Sequence, residues 1–177
     1  KGRMLTELSQ LDMPRIRFEC RFTEIPFGPT GADQAAFLMS ANAGEDLRPM
    51  SRVASGGELA RIMLAMKNVL SELDSVNTLI FDEVDAGVSG RAAQKVAQKL
   101  QSVAERKQVL CVTHLPQIAA LADLHLLIAK SEQGGRTYTN VTPLDREGRI
   151  EELSRIIGGE RITETTRKSA AEMLSGK

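Results

Sequence analysis

Two adjacent carboxylates, Asp82 and Glu83, follow the apolar run Thr78-Leu79-Ile80-Phe81. Acids at the end of a buried-type strand suit a hydrated divalent cation and a water to be oriented or deprotonated. Upstream, Ser55-Gly56-Gly57-Glu58 opens an amphipathic stretch. A helix start of that kind offers unpaired amides and the positive end of the helix dipole, and its glycines let a phosphate approach the backbone closely. Downstream, a second apolar run, Gln108 to Thr113, leads into His114, a candidate hydrogen-bond partner for a phosphate oxygen or an attacking water. Each feature alone has a plainer reading: a solvated acidic turn, a glycine N-cap, a structural histidine. Their order is the specific signal, because phosphoanhydride hydrolysis needs a cation, a water-activating group and donors aimed at the terminal phosphate. The phosphate cradle G-x-x-x-x-G-K-S/T is not in the sequence, and the nearest stretch, Phe27-Gly28-Pro29-Thr30-Gly31-Ala32, has no lysine. These residues amount to half of a nucleotide site.

The elements that must position them are readable from periodicity. Met4, Leu5, Leu8 and Leu11 have helical spacing and read as the tail of a helix closed by Pro14. Residues 15–22 alternate strictly, with Ile16, Phe18, Cys20 and Phe22 on one face and Arg15, Arg17, Glu19 and Arg21 on the other, which predicts a half-buried strand. Pro26, Gly28, Pro29 and Gly31 predict a turn over 26–34, followed by a short apolar run at 35–40 and another turn over 42–48. After Gly57, the residues Leu59, Ile62, Met63, Met66, Leu70 and Leu73 form one apolar stripe, with Arg61, Lys67, Asn68 and Glu72 off it. A strand is expected at 77–81, a helix over 92–103 entered through Ser89-Gly90, a strand at 108–113 and a short helix at 115–122. A hairpin joins 124–129 to 136–141, a helix ends at Gly158-Gly159, and a last helix follows Thr163. Strands alternating with helices predict an α/β fold with a mainly parallel sheet flanked by helices, whose chemistry sits at the carboxyl ends of strands.

Composition sets outer bounds. The 177 residues carry 23 basic and 23 acidic side chains, so the chain as a whole has no electrostatic footprint for nucleic acid. Two cysteines, Cys20 and Cys111, both in apolar runs, argue against a disulfide framework or a zinc site and fit a reducing, cytoplasmic setting. No apolar run is long enough to span a membrane. The chain opens Lys1-Gly2 without an initiator methionine, as expected of a piece of a longer protein.

On these motifs the chain resembles the ABC ATPases of the SMC type. Val53-Ala54-Ser55-Gly56-Gly57-Glu58 is similar to the ABC signature, Thr78 to Glu83 to a Walker B strand with its catalytic glutamate, and residues 83–89 to a D-loop; His114 is similar to the switch histidine. The finer wording of Arg52 to Lys67, Ile80 to Gly90 and Val112 to Ala119 resembles the RecN family of bacterial double-strand-break repair proteins over roughly residues 15–160. The resemblance implies the C-terminal lobe (residues 14–177) of an ABC-type head, with residues 1–13 the end of a coiled-coil helix and the Walker A motif on a separate N-terminal lobe of the same protein. It implies ATP and Mg²⁺ as ligands, Asp82 holding Mg²⁺ through water, and Glu83 and His114 as catalytic groups. Ser55, Gly56 and Gly57 would contact the γ-phosphate of a partner's ATP, and Asp85 and Ser89 would lie at the interface of a head-to-head homodimer. DNA is the implied larger partner, the implied location is cytoplasmic and nucleoid-associated, and no membrane is involved.

A second class stays open at this level: a non-hydrolysing DNA-binding or docking module. Arg15, Arg17 and Arg21 are its best candidates for phosphate-backbone contact, weighed against a solvated strand face, with Arg161, Arg167 and Lys168 behind them. Glu83 favours the ATPase reading, since a docking module has no need of a base. A lobe lacking its other half should also expose a sheet edge and an apolar face.

Overall fold

The computed structural model describes residues 1–40, 44–52, 56–70, 75–159 and 161–176. The chain divides into two compact units, residues 1–112 and 113–177.

The first unit opens with helix α1 (Gly2–Gln10), which buries Met4 and Leu8 as the spacing predicts. Leu11 is fully buried beyond it, and Asp12 turns the chain in the left-handed region (φ 64°) before Pro14. An antiparallel hairpin follows, β1 (Arg17–Gly28) and β2 (Gly31–Ser40), with the short β3 (Arg48–Pro49) on the outer side of β2. The predicted turn over 26–34 is corrected here: the strands run on to Gly28 and from Gly31, leaving only Pro29-Thr30 between them. Gly31 supplies the left-handed backbone (φ 108°) that so tight a connection needs. Pro26, which has no N–H for the ladder, falls inside the register shift between Glu24 and Gly28. The alternating face reaches the core only at its near end. Ile16 and Phe18 are buried, Phe18 stacks on Phe37 with centroids 5.7 Å apart, and Phe22 and Phe27 face solvent further out.

Helix α2 (Gly56–Val69) leads to β4 (Thr78–Phe81), α3 (Gly90–Ala104) and β5 (Gln108–Cys111). β4 and β5 pair in parallel, with Phe81 opposite Cys111, and the Val112 amide extends the ladder by donating to the Phe81 carbonyl at 2.9 Å. Ser89 is the N-cap residue of α3, as its position before Gly90 predicts. α3 buries Ala93, Val96, Ala97, Leu100 and Val103 at helical spacing. It is also tied to α1: the Lys99 ammonium ion-pairs with Glu7 at 2.7 Å and donates to Gln10 Oε1 at 2.9 Å, and Lys95 lies 4.0 Å from Asp12.

The second unit contains α4 (Pro116–Leu121), the hairpin β6 (Leu126–Gln133) and β7 (Arg136–Pro143), α5 (Arg146–Gly158) and α6 (Glu164–Ser175). Gly134 and Gly135, both at positive φ, make the two-residue turn of this hairpin. Asp145 caps α5 by accepting from the Gly148 amide at 2.8 Å, Gly159 ends it at φ 65°, and Thr163 with Thr166 forms a capping box on α6. Ala119, Ala120, Leu153 and Ala170 form the buried centre, with Ile150, Met173 and Leu174 packed against it.

The expected α/β class is observed, built from small sheets. Among the described residues parallel pairing is confined to β4 and β5, and the other two sheets are antiparallel. Tight turns join β1 to β2 and β6 to β7, and such connections permit only antiparallel neighbours, whereas the α3 crossover permits a parallel one.

Candidate functional site

β4 delivers the acids. Leu79 and Phe81 point into the core and hold the strand, so Asp82 and Glu83 emerge from its carboxyl end exposed to solvent. Glu83 stands in the left-handed region (φ 56°), a costly conformation for a non-glycine residue that turns the chain sharply out of the strand. The Ala86 amide donates to the Glu83 carbonyl at 3.0 Å and the Val88 amide to the Asp85 carbonyl at 3.2 Å, so residues 83–88 form two successive turns. Val84 is fully buried and Asp85 is 2% exposed, which anchors the loop from below while Glu83 stays outside.

The glycine turn faces this loop. A Cβ on Gly56 would lie 3.0 Å from Glu83 Oε2, which places the carboxylate of Glu83 over the start of α2. A Cβ on Gly57 would lie 2.6 Å from the Ala86 carbonyl oxygen and 2.7 Å from Ala86 Cβ. Ser55 lies outside the described residues. Arg61, read from sequence as lying off the apolar stripe, is instead buried at 7% exposure and donates from Nη1 to the Ala86 carbonyl at 2.8 Å. Burial pushes its pKa down, against the attraction of Glu58 and Asp12. Periodicity missed Arg61 because a hydropathy stripe has no place for a buried guanidinium; its spacing of one helical turn from Gly57 was the available signal.

Cys111 sits beside the acids on β5. Burial, then the charges of Asp85 and Asp82, push its thiol up to about 12, which disfavours the reactive thiolate. His114 belongs to the second unit and is exposed; beside it, Thr113 Oγ1 accepts from the Leu115 amide at 3.1 Å, ahead of Pro116 at the start of α4. Ser89 is exposed at the head of α3 and makes no side-chain cap bond. Of the strand arginines, Arg17 donates to the Glu45 carbonyl at 2.6 Å, Arg21 pairs with Glu19 at 3.1 Å, and Arg15 is exposed. Arg167 pairs with Glu151 and Lys168 with Glu164, so neighbouring acids partly offset both sets of basic residues.

Asp82 and Glu83 suit a cation that keeps most of its water. Among the described residues no cluster of three or more acids, histidines or cysteines could cage a metal. One or two carboxylates at a strand end, completed by water and substrate phosphates, is the donor set Mg²⁺ favours.

No protein-family model matches the chain. Among solved structures, the Smc head domain with coiled coil and joint from Pyrococcus yayanosii is similar at a TM-score of 0.61 and 20% identity, covering 90% of this chain and 29% of that one. The Smc head bound to the C-terminal domain of ScpA from Pyrococcus furiosus is similar at a TM-score of 0.56 and 23% identity, covering 88% and 37%. The fold is therefore that of part of an Smc head domain. Within that class the sequence is specific. It is 47% identical to the DNA repair protein RecN of Halalkalibacterium halodurans over 95% of this chain and 31% of the relative. It is 51% identical to RecN of Bacillus subtilis over 81% and 25%, and 44% identical to RecN of Streptomyces coelicolor over 95% and 32%. The chain belongs to the RecN family and matches a quarter to a third of the length of these curated relatives.

Proposed function

We propose that the chain is the C-terminal lobe of an ATP-hydrolysing head that acts in DNA double-strand-break repair and recombination. In this reading residues 1–13 end a coiled coil and 14–177 form the lobe. Asp82 would hold Mg²⁺ through its water shell, where the cation would offset the charge of the phosphates. Glu83 accepts the proton of the attacking water, and His114 hydrogen-bonds the terminal phosphate or that water. Ser55, Gly56 and Gly57 meet the γ-phosphate of the nucleotide held by a second head, and Asp85 and Ser89 lie at the interface between the two. ATP closes the two heads, hydrolysis releases them, and the cycle gates DNA.

The observation that carries this reading is the placement of Glu83. It is an exposed carboxylate at the end of a strand buried on one face, held in left-handed backbone and set over the first glycine of α2. Strained residues of this kind cluster where geometry serves chemistry. Further support comes from the outer face of the parallel pair, where Ile80 is 74% exposed with Leu110 and Val112 beside it. Parallel sheets are covered on both faces, and the curated relatives are about three times the length of this chain; in this reading an N-terminal lobe of the same protein supplies the cover and brings the phosphate loop. A structurally similar chain comes from work on the ATP-driven dimerization and DNA-stimulated activation of SMC ATPases, which fits a head that closes on a second copy.

The test is ATP turnover by this chain, alone and reassembled with an N-terminal lobe carrying a Walker A motif, with and without DNA. Turnover is expected only in the assembly, and Glu83→Gln should lower it by about 10²–10⁴-fold while nucleotide binding persists. Turnover by a folded assembly that survives Glu83→Gln refutes the base assignment. A folded assembly with no turnover supports the docking-module reading instead.

A further inference from the structure

One turn of α2 presents two residues to a single residue of the loop after β4. Gly57 leaves no space for a side chain against Ala86, whose carbonyl oxygen and Cβ would lie 2.6 and 2.7 Å from an added methyl group. Arg61, one turn on, donates Nη1 to that same carbonyl at 2.8 Å. The Ala86 amide meanwhile donates to the Glu83 carbonyl, so the residue held by α2 also holds the backbone of Glu83. The guanidinium is buried, and its Nε has no hydrogen-bond partner among the described residues. A buried charged donor left unpaired costs stability, and a methionine of similar length would fill the same volume without that cost. What methionine could not supply is a directed bond to one carbonyl.

We propose that Arg61 is a positioning residue which, with Gly57, clasps Ala86 so that the start of α2 and the loop bearing Glu83 and Asp85 move as one body. Gly57 is then small for a reason within its own chain, before any nucleotide is present. The catalytic consequence rests on the ATPase reading given above; the clasp itself does not.

Amide hydrogen exchange of the chain without nucleotide, read over residues 82–88, tests the clasp. Arg61→Met and Gly57→Ala should each speed exchange at Ala86 and Val88 by roughly tenfold or more, with Arg61→Lys in between because one ammonium donor still reaches the carbonyl. Unchanged exchange in both Gly57→Ala and Arg61→Met overturns the proposal, and would mean Gly57 is small only for an external ligand. The second measurement is kcat and KM for ATP in the assembled head, per folded active site. Arg61→Met should lower kcat by about 10–100-fold with KM within about twofold, and Arg61→Lys should recover part of the loss. Faster exchange with an unchanged kcat would make the clasp purely structural and overturn the positioning role. If the wild-type assembly hydrolyses no ATP, the ATPase reading fails and the positioning role with it, while the exchange result still decides the clasp. Should Arg61→Met not fold, the Lys variant carries both measurements.

Discussion

Adding one methyl group to each glycine of the α2 start separates two kinds of close contact. At Gly57 the new Cβ would sit 2.6 Å from a backbone oxygen and 2.7 Å from a Cβ, both on Ala86. Ordinary contact begins near 3.4 Å, so the loop or the helix must move by most of an ångström, and both are fixed: Ala86 by two turns, α2 by the buried Ile62, Leu64 and Ala65. Overpacking of this kind costs about 1–3 kcal/mol, against which the better helix propensity of alanine returns at most about 1 kcal/mol. Gly57→Ala should therefore destabilise by about 1–2 kcal/mol and lower Tm by roughly 2–8 °C for a chain of this size. At Gly56 the added Cβ meets only Glu83 Oε2 at 3.0 Å, the far end of a side chain free to rotate away. Gly56→Ala should stay within about 0.5 kcal/mol of wild type, yet it crowds the proposed base and should reduce turnover. Thermal melting with circular dichroism ranks the pair. If Gly56→Ala is the less stable of the two, or Gly57→Ala melts with wild type, the close packing of α2 on the loop is wrong.

Other consequences concern the second unit and the thiol. Arg149 Nη2 reaches the carbonyls of Ala119, Ala120 and Ala122 at 3.4, 3.1 and 2.8 Å and so satisfies the open end of α4; Arg149→Met should cost about 1.5–3 kcal/mol by urea unfolding. Burial, then Arg149, hold the His125 pKa below its ordinary 6.5, with Glu152 opposing. The unfolded chain then binds a proton that the folded one refuses. Stability from this site is complete above pH 6.5 and is lost as pH falls through the lowered folded pKa; melting at pH 7.5 and 5.5 should show the loss and His125→Asn should reduce it. Cys111, raised from 9.0 to about 12, should carry at pH 7.5 a thiolate fraction about 10³-fold below that of an unperturbed thiol, and iodoacetamide labelling followed by mass spectrometry should find it nearly inert.

The legible parts of this chain are those where local chemistry decides. Ser89 before Gly90, Thr163 before α6 and Gly159 after α5 announce helix ends because caps act within one turn. The order of Gly56-Gly57, Asp82-Glu83 and the Gln108 run was readable, and so was the emergence of the acids from a strand end; that this strand is buried on one face only was not. Contacts between segments were not. Arg61 carries no hint in its own neighbourhood that a carbonyl 25 residues away will receive it. Pro26 and Gly28 look like a broad turn because turn residues are also bulge residues, and only pairing decides which. The exposure of Phe22 is illegible for a related reason: alternation shows that a face is apolar, and what covers it lies elsewhere in the chain.

The ties between α1 and α3 make a lever of the first helix. Lys99 grips Glu7 and Gln10 near the end of α1, Lys95 reaches toward Asp12 just beyond it, and α3 begins at Gly90, directly after the loop of Glu83 and Asp85. Tension or twist applied along α1 would load those lysines sideways, and through them the fifteen-residue helix that begins at the loop's exit. A single-molecule pull from the N-terminal end would thus load α3 from the side before β4 unzips from β5, and under the proposed reading turnover at Glu83 would become a gauge of mechanical load.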